Sequence, residues 1–295
     1  MVRPWSPRIG SIWQHSLMTS PKFVAVSEGG HESPFPDRAD VLEKMLKATG
    51  RGGVPVRSDF VQLREKGENG SRHGLLAQFT TDEKALDAYL LIHALASSKE
   101  PYSASYPGTI WARAAGFDRD ATMDSARQRW SKAVAKLVKH RLITATRDGR
   151  RSVYTLLHER GDGEPYSRPL SLAHGGWVTL PYKYWLESLD VDLSLPEKLM
   201  LLISLDQKAT FPLPAPRIQE WYGVSESTAK RGFAGLENRG ILSVKKKKEI
   251  DLQSTSIVRI VNLYTTLGDW TAANRKKAMT IKRSRSTRKA AADAE

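Results

Sequence analysis

Trp130-Ser-Lys-Ala-Val-Ala-Lys-Leu-Val-Lys-His-Arg-Leu-Ile143, followed by Arg147-Asp148-Gly149-Arg150-Arg151, is the stretch on which the reading of this chain turns. Its apolar residues recur at about 100° per residue, the helical period. Ala126, Trp130, Ala133, Val134 and Leu137 fall on one side of such a helix. Ser125, Arg129, Lys132, Lys136 and Lys139 fall on the opposite side. An apolar step, Leu142-Ile143, then starts a strand, Asp148-Gly149 makes a tight turn, and residues 152–157 return as the second strand of a hairpin. Between Arg127 and Arg151 there are nine basic residues and one acidic residue, Asp148.

The pattern occurs twice. Ser225-Glu-Ser-Thr-Ala-Lys-Arg-Gly-Phe-Ala-Gly-Leu-Glu-Asn-Arg-Gly-Ile-Leu242 leads into Lys245-Lys246-Lys247-Lys248. Here Ala229, Phe233 and Leu236 face inward, while Ser227, Thr228, Arg231, Gly235 and Arg239 face outward, with Lys230 beside them. Upstream landmarks keep the same order. Asp82-Glu83-Lys84 corresponds to Pro196-Glu197-Lys198, and Trp111–Gly116 to Ile218–Gly223. Leu137–Thr144 corresponds to Leu236–Ser243. Three landmarks in one order predict a repeated supersecondary unit. Each unit begins with a helix (Thr81 and Pro196 mark the starts), and Gly116 and Gly223 stop the short second helices. Residues 123–140 and 226–239 are the third helices.

Around the repeat, residues 1–53 are rich in Gly, Pro, Ser and charge and read as a flexible arm, with one short helix over 39–49. Residues 54–81 read as short strands around the polar turn 66–70. Residues 161–175 read as a linker, and 271–295, with eight basic residues including Arg275, as a solvated basic tail. The expected organisation is therefore 54–160 and 176–270 as two domains between an arm and a tail.

The 295 residues carry 46 Lys and Arg against 32 Asp and Glu, a formal net charge of +14. Such a balance favours a polyanionic partner. There is no cysteine, which excludes disulfides and thiolate metal sites and fits a reducing compartment. No apolar run approaches the ~20 residues of a membrane span, and the N-terminus lacks the apolar core of a signal peptide. A cytoplasmic, nucleoid-associated location is expected. Catalysis is not: the chain has no phosphate-binding Gly-x4-Gly-Lys-Ser/Thr loop, no paired dinucleotide glycines and no His-Glu-x-x-His. The seven histidines lack metal-ligand spacing, so neither metal nor cofactor is expected. Trp111, Trp130, Trp177, Tyr184, Trp185 and Trp221 sit beside apolar helices and are assigned to core packing rather than base stacking.

At these helices and hairpins, over about 54–270, the chain resembles tandem winged-helix DNA-binding proteins, among them plasmid replication initiators and transcriptional regulators. Leu86–Leu95, Phe211-Pro-Leu-Pro214 and Glu220–Ser225 are also similar to a group of uncharacterised actinobacterial proteins. The resemblance implies an α+β fold of two tandem winged helix-turn-helix domains. It implies a non-enzymatic, sequence-specific double-stranded DNA-binding protein, most simply a regulator of mobile-element or plasmid type. A replication initiator binding origin repeats would use the same residues. Tandem winged helices also serve as interaction modules in chromosome-organising complexes, but there the outward faces are expected to be acidic or apolar.

The contact residues expected from the first copy are Ser125, Arg127, Arg129, Lys132, Lys136, Lys139, Arg147, Arg150 and Arg151. From the second they are Ser227, Thr228, Lys230, Arg231, Arg239 and Lys245–Lys248. Arg231 suits a guanine edge, and Ser or Thr suits a phosphate or base. Gly235 would let the backbone approach a phosphate. The edge-strand lysines also protect against aggregation. The first copy is expected to supply most of the affinity and the second to add specificity or a second half-site. Two domains in one chain could read two half-sites, and a homodimer stays open.

Overall fold

The computed structural model describes residues 36–66, 71–169, 176–250 and 257–279, all within one compact unit. Most of the expected arm and tail, the turn at 67–70 and the end of the linker lie outside the described residues. The fold is mixed α+β, and the described strands form three small sheets. No described helix is long and apolar enough to cross a membrane.

The unit opens with α1 (Arg38–Ala48), β1 (Gly53–Arg57) and α2 (Ser58–Val61). A 3₁₀ segment, Leu75–Phe79, precedes α3 (Glu83–Leu95). β2 (Ser103–Pro107), α4 (Gly108–Ala114), α5 (Met123–Lys139), β3 (Ile143–Asp148) and β4 (Arg151–Leu156) complete the first half. β5 (Trp177–Pro181), α6 (Lys183–Leu186) and α7 (Leu189–Asp192) then lead to α8 (Leu195–Asp206). β6 (Thr210–Pro212), α9 (Ala215–Tyr222), α10 (Glu226–Asn238), β7 (Leu242–Ile250) and β8 (Val258–Thr266) follow, and a helix covers 272–279.

The order helix, strand, helix, helix, strand, strand thus occurs twice. The two antiparallel sheets have matching strand orders, β2-β4-β3 and β6-β8-β7. Local chemistry matches as well. Thr122 Oγ1 accepts from the Ser125 amide at 3.3 Å to cap α5, and Ser225 Oγ accepts from the Thr228 amide at 3.3 Å to cap α10. At the far ends, the Leu142 amide donates to the Leu137 carbonyl and the Ile241 amide to the Leu236 carbonyl, both at 3.0 Å. The chain turns there through left-handed backbone, at Arg141 (φ 53°) and Gly240 (φ 67°). The buried residues of α5 are Ala126, Trp130, Ala133, Val134 and Leu137, the face its periodicity predicts. α10 is one turn shorter and buries Ala229, Gly232, Phe233 and Leu236.

The halves are joined more closely than a linker would require. β1 pairs antiparallel with β5, centred on Pro55 opposite Thr179. α1 buries Leu42, Met45 and Leu46, and Arg38 forms an ion pair with Asp190. Residues 36–53 are therefore part of the body, not of an arm. The apolar spacing of Leu42, Met45 and Leu46 is helical and supplies a face to bury. Residues 54–79 form one strand and two short helical segments instead of several strands, and α3 is capped by Asp82, not Thr81. Within the expected linker, Tyr166 is buried and the Ser167 carbonyl accepts from Arg57 at 2.6 Å. Arg57 also pairs with the fully buried Glu159 at 2.9 Å. The expected tail begins with the 272–279 helix. Its buried Arg275 donates to the carbonyls of Trp270, Thr179 and Leu205 at 3.0, 3.2 and 3.0 Å. A guanidinium can tie three carbonyls at once, so a basic residue here is a staple rather than a solvated charge. Trp111, Trp130, Tyr184 and Trp185 are buried in the core, and Trp221 packs against it, whereas Trp177 is exposed.

α10 lies against α8 through its glycines. A Cβ on Gly232 would stand 2.3 Å from the Pro196 carbonyl oxygen and 2.5 Å from Met200 Cγ. One on Gly235 would stand 2.4 Å from Glu197 Oε1. Gly235 therefore serves helix packing, which corrects its assignment to a phosphate. Gly232→Ala is expected to destabilise the fold by about 1–3 kcal/mol through overpacking. That outweighs the ~1 kcal/mol that Ala gains in helix propensity. Urea unfolding should show a lower midpoint at unchanged slope. A midpoint at or above wild type would mean that α8 moves aside freely.

Candidate nucleic-acid interface

Each third helix is held at a fixed angle to its hairpin by aromatic contacts. In the first half Trp130 Nε1 donates to Tyr154 OH at 2.9 Å, and Trp111 stacks on Trp130 with centroids 5.2 Å apart. In the second, Tyr264 stacks on Phe233 at 4.0 Å and on Phe211 at 5.7 Å. Tyr154 and Tyr264 hold the same register position, two residues before the last residue of β4 and of β8. These contacts pack helix and hairpin together, which positions any side chain that projects from both.

The outward faces then sort the expected residues. Lys132, Lys139, Arg147 and Arg150 are exposed, and none has an ion pair among the described residues. The same holds for Arg231, Lys245, Lys246 and Lys248. Counting five residues back from Leu137 and from Leu236 gives Lys132 and Arg231. The two third helices thus present a basic side chain at the same position.

Others are spent on the fold. Arg129 is half-buried, pairs with Asp120 at 2.6 Å and donates to the Phe117 carbonyl at 3.3 Å. The Arg129 guanidinium holds the Asp120 carboxyl below the usual carboxylate range. Lys136 pairs with Asp82, the cap of α3. Arg239 donates to Glu197 Oε1 at 2.9 Å and to the Asp192 carbonyl at 2.8 Å. Burial alone would raise Glu197, but hydrogen bonds from Ser194 and the Arg239 guanidinium outweigh it and hold the carboxyl low. In both halves a cation of the third helix is thus tied to an acid at the start of the first helix. These ion pairs give Lys136 and Arg239 a part in joining the third helix to the first.

Some of the remaining residues are only loosely held. Arg127 pairs with Asp124 at 3.5 Å, Lys230 with Glu226 at 2.7 Å and Lys247 with Glu249 at 3.3 Å. All three cations are exposed and can exchange partners at little cost. Ser125, Ser227 and Thr228 are near the helix caps. Ser125 Oγ accepts from Thr122 at 3.1 Å, and Thr228 Oγ1 accepts from Ser225 at 2.9 Å. Ser227 Oγ lies 3.2 Å from Ser225 Oγ.

No family model, curated protein or solved structure matches this chain.

Strand alternation places the hairpin residues on definite faces. In the first hairpin Arg147, opposite Ser152, shares the face of Tyr154 that packs on α5. Arg151 points to the other face, and Arg150 is in the two-residue loop behind Gly149 (φ 55°). The three arginines therefore do not converge. In the second hairpin Lys246 and Lys248 share the face of Tyr264 that packs on α10, and Lys245 and Lys247 take the other. Sequence reasoning missed three side chains on the α10 face, Ile250, Val258 and Ile260, which are exposed at the far end of the ribbon. Their period-2 spacing was the available signal.

Proposed function

We propose that the chain is a sequence-specific double-stranded DNA-binding protein made of two fused winged-helix units. We place it as a transcriptional regulator of mobile-element or plasmid type. In this reading α5 and α10 enter major grooves, and the β3–β4 and β7–β8 hairpins touch the flanking backbone. The observation that carries it is the pair Lys132 and Arg231: one basic side chain at the same position of each third helix, exposed, without an ion pair to a described residue, beside a basic hairpin. A surface kept only for solubility would not need equivalent cations on two helices that differ in length. A protein-interaction module is disfavoured because these faces are basic.

Arg231 is the best-placed base reader, since a guanidinium pairs with guanine through two parallel bonds. Duplexes selected from a random pool by the wild-type chain should show an information-rich position that Arg231→Ala flattens, costing about 1–3 kcal/mol of discrimination there. An equal loss of affinity on every sequence would reduce Arg231 to a phosphate contact. Footprinting a selected genomic fragment across a salt series would then place both half-sites.

A further inference from the structure

The two third helices present different side chains at equivalent positions. At 100° per residue, Gln128, Lys132, Ala135 and Lys139 fall within about 60° of arc on α5, on the side away from its buried stripe. All four are exposed, and none makes a side-chain hydrogen bond or ion pair among the described residues. Their equivalents on α10, counted from Leu236 as Lys132 is from Leu137, are Ser227, Arg231, Ala234 and Asn238, all exposed. Packing supports the count. One position beyond the alanines, Lys136 and Gly235 each meet the start of the first helix of their half, at Asp82 and at Glu197. Only the alanines agree between the two stripes. Gln128 stands where α10 has Ser227, Lys132 where it has Arg231, and Lys139 where it has Asn238.

We propose that the chain recognises an asymmetric duplex site and binds it with one polarity, Gln128 reading an adenine in the α5 half-site and Arg231 a guanine in the α10 half-site. The inference rests on the DNA-binding reading above. Gln128 belongs to the second turn of α5, in the N-terminal part that meets base edges when such a helix docks. Its amide offers a donor beside an acceptor, which matches N6 and N7 of adenine. Guanine shows two acceptors at that edge, the match for the guanidinium of Arg231. Ser227 does not repeat the Gln128 contact, because a single hydroxyl has no second group for a paired bond and it lies 3.2 Å from Ser225 Oγ at the cap. Ala135 and Ala234, small in both stripes, let each backbone approach the groove floor. A homodimer with one such helix in each protomer selects two like half-sites. Two halves fused in one chain are free of that constraint, and the strand pair β1 and β5 joins them in a fixed order.

The test has the full chain, as wild type, Q128A and Q128R, each select duplexes from a random pool, with affinities then measured by fluorescence anisotropy on single-base variants of the wild-type choice. Wild type is expected to select a motif that is neither an inverted nor a direct repeat, with an adenine in one half and a guanine in the other. Q128A should flatten the adenine position, lowering discrimination there about tenfold, and leave the guanine position as it was. Q128R should turn the same position from adenine to guanine. The changed residue is exposed, so an unchanged thermal midpoint confirms that the variants fold. A wild-type motif with two like half-sites overturns the proposal. So does a Q128A motif identical to that of wild type, or an equal loss of affinity on every sequence, which would make Gln128 a phosphate contact. A wild-type chain that binds every duplex alike removes the sequence-specific part of the reading above, and one that binds no duplex removes the DNA-binding reading itself; the asymmetric site falls with either.

Discussion

The K132A/K139A/R147A variant is expected to bind duplex DNA with a much shallower salt dependence than wild type. Each phosphate contact contributes about 0.9 to the slope of log affinity against log salt. Loss of three contacts should lower the slope by about 2.7. The advantage of wild type would then shrink about 40-fold between roughly 50 and 200 mM salt. The choice of residues follows from the ion pairs. Lys132, Lys139 and Arg147 have no carboxylate partner among the described residues, and Arg147 is on the hairpin face that packs on α5. Arg129 and Lys136, which sequence alone ranks with them, are tied to Asp120 and Asp82. R129A/K136A should therefore lower the thermal midpoint more than it changes the salt slope. Fluorescence anisotropy across a salt series reads both variants. If the two variants swap behaviour, the sorting of the basic residues by their ion pairs is wrong.

The reading of α5 shows how far periodicity carries. Its five buried residues follow from spacing alone, because a helix on a core must bury one stripe. The exits at Leu137 and Leu236 follow too, since an apolar step after a left-handed turn is a local signal. What sequence could not give is partner choice. Lys132 and Lys136 are one turn apart with the same charge, yet only Lys136 meets an acid, and that acid is 54 residues away. The same limit explains Arg275 and residues 36–53. Polar and basic residues look solvated until a distant carbonyl or carboxylate is known to be waiting. Gly235 is the converse case. On a helical wheel it falls outward, but a shorter α10 lying closely on α8 turns that position toward Glu197.

These distant partners change what the repeat means physically. Two domains on a linker would unfold and orient separately. Here one strand from each half forms a shared two-stranded sheet, and Arg275, far along the chain, ties together carbonyls of β5 and α8. If both third helices contact one duplex, their spacing is set by this joint rather than by a flexible tether. Weakening the joint should then cost specificity before it costs non-specific affinity, because phosphate contacts tolerate misorientation and base contacts do not.

Lys198→Ala attacks that joint at a buried charge and is expected to cost about 3–5 kcal/mol of stability. Lys198 belongs to α8 and is 1% exposed. Its Nζ donates to Asp87 Oδ1 and Oδ2 at 2.9 and 2.8 Å and to Glu83 Oε1 at 2.7 Å, all on α3. Burial pushes Asp87 up to about 7, against the downward pull of Lys198. A carboxyl raised above its unfolded value stabilises the fold in its protonated form. That contribution is complete below about pH 4 and is lost as pH rises through about 7. Removing Lys198 raises the carboxyl further, so the deficit of Lys198→Ala should be smallest near pH 4 and grow toward and beyond pH 7. Urea unfolding followed by tryptophan fluorescence and far-ultraviolet circular dichroism should give coincident transitions, because the pair links the two halves. Replacing both partners, as in K198M/D87L, should recover most of the loss, since an apolar pair leaves no buried charge unmatched. A deficit that stays flat with pH, or that the double replacement deepens, would show that Lys198 acts through packing of its stem rather than through the Asp87 charge.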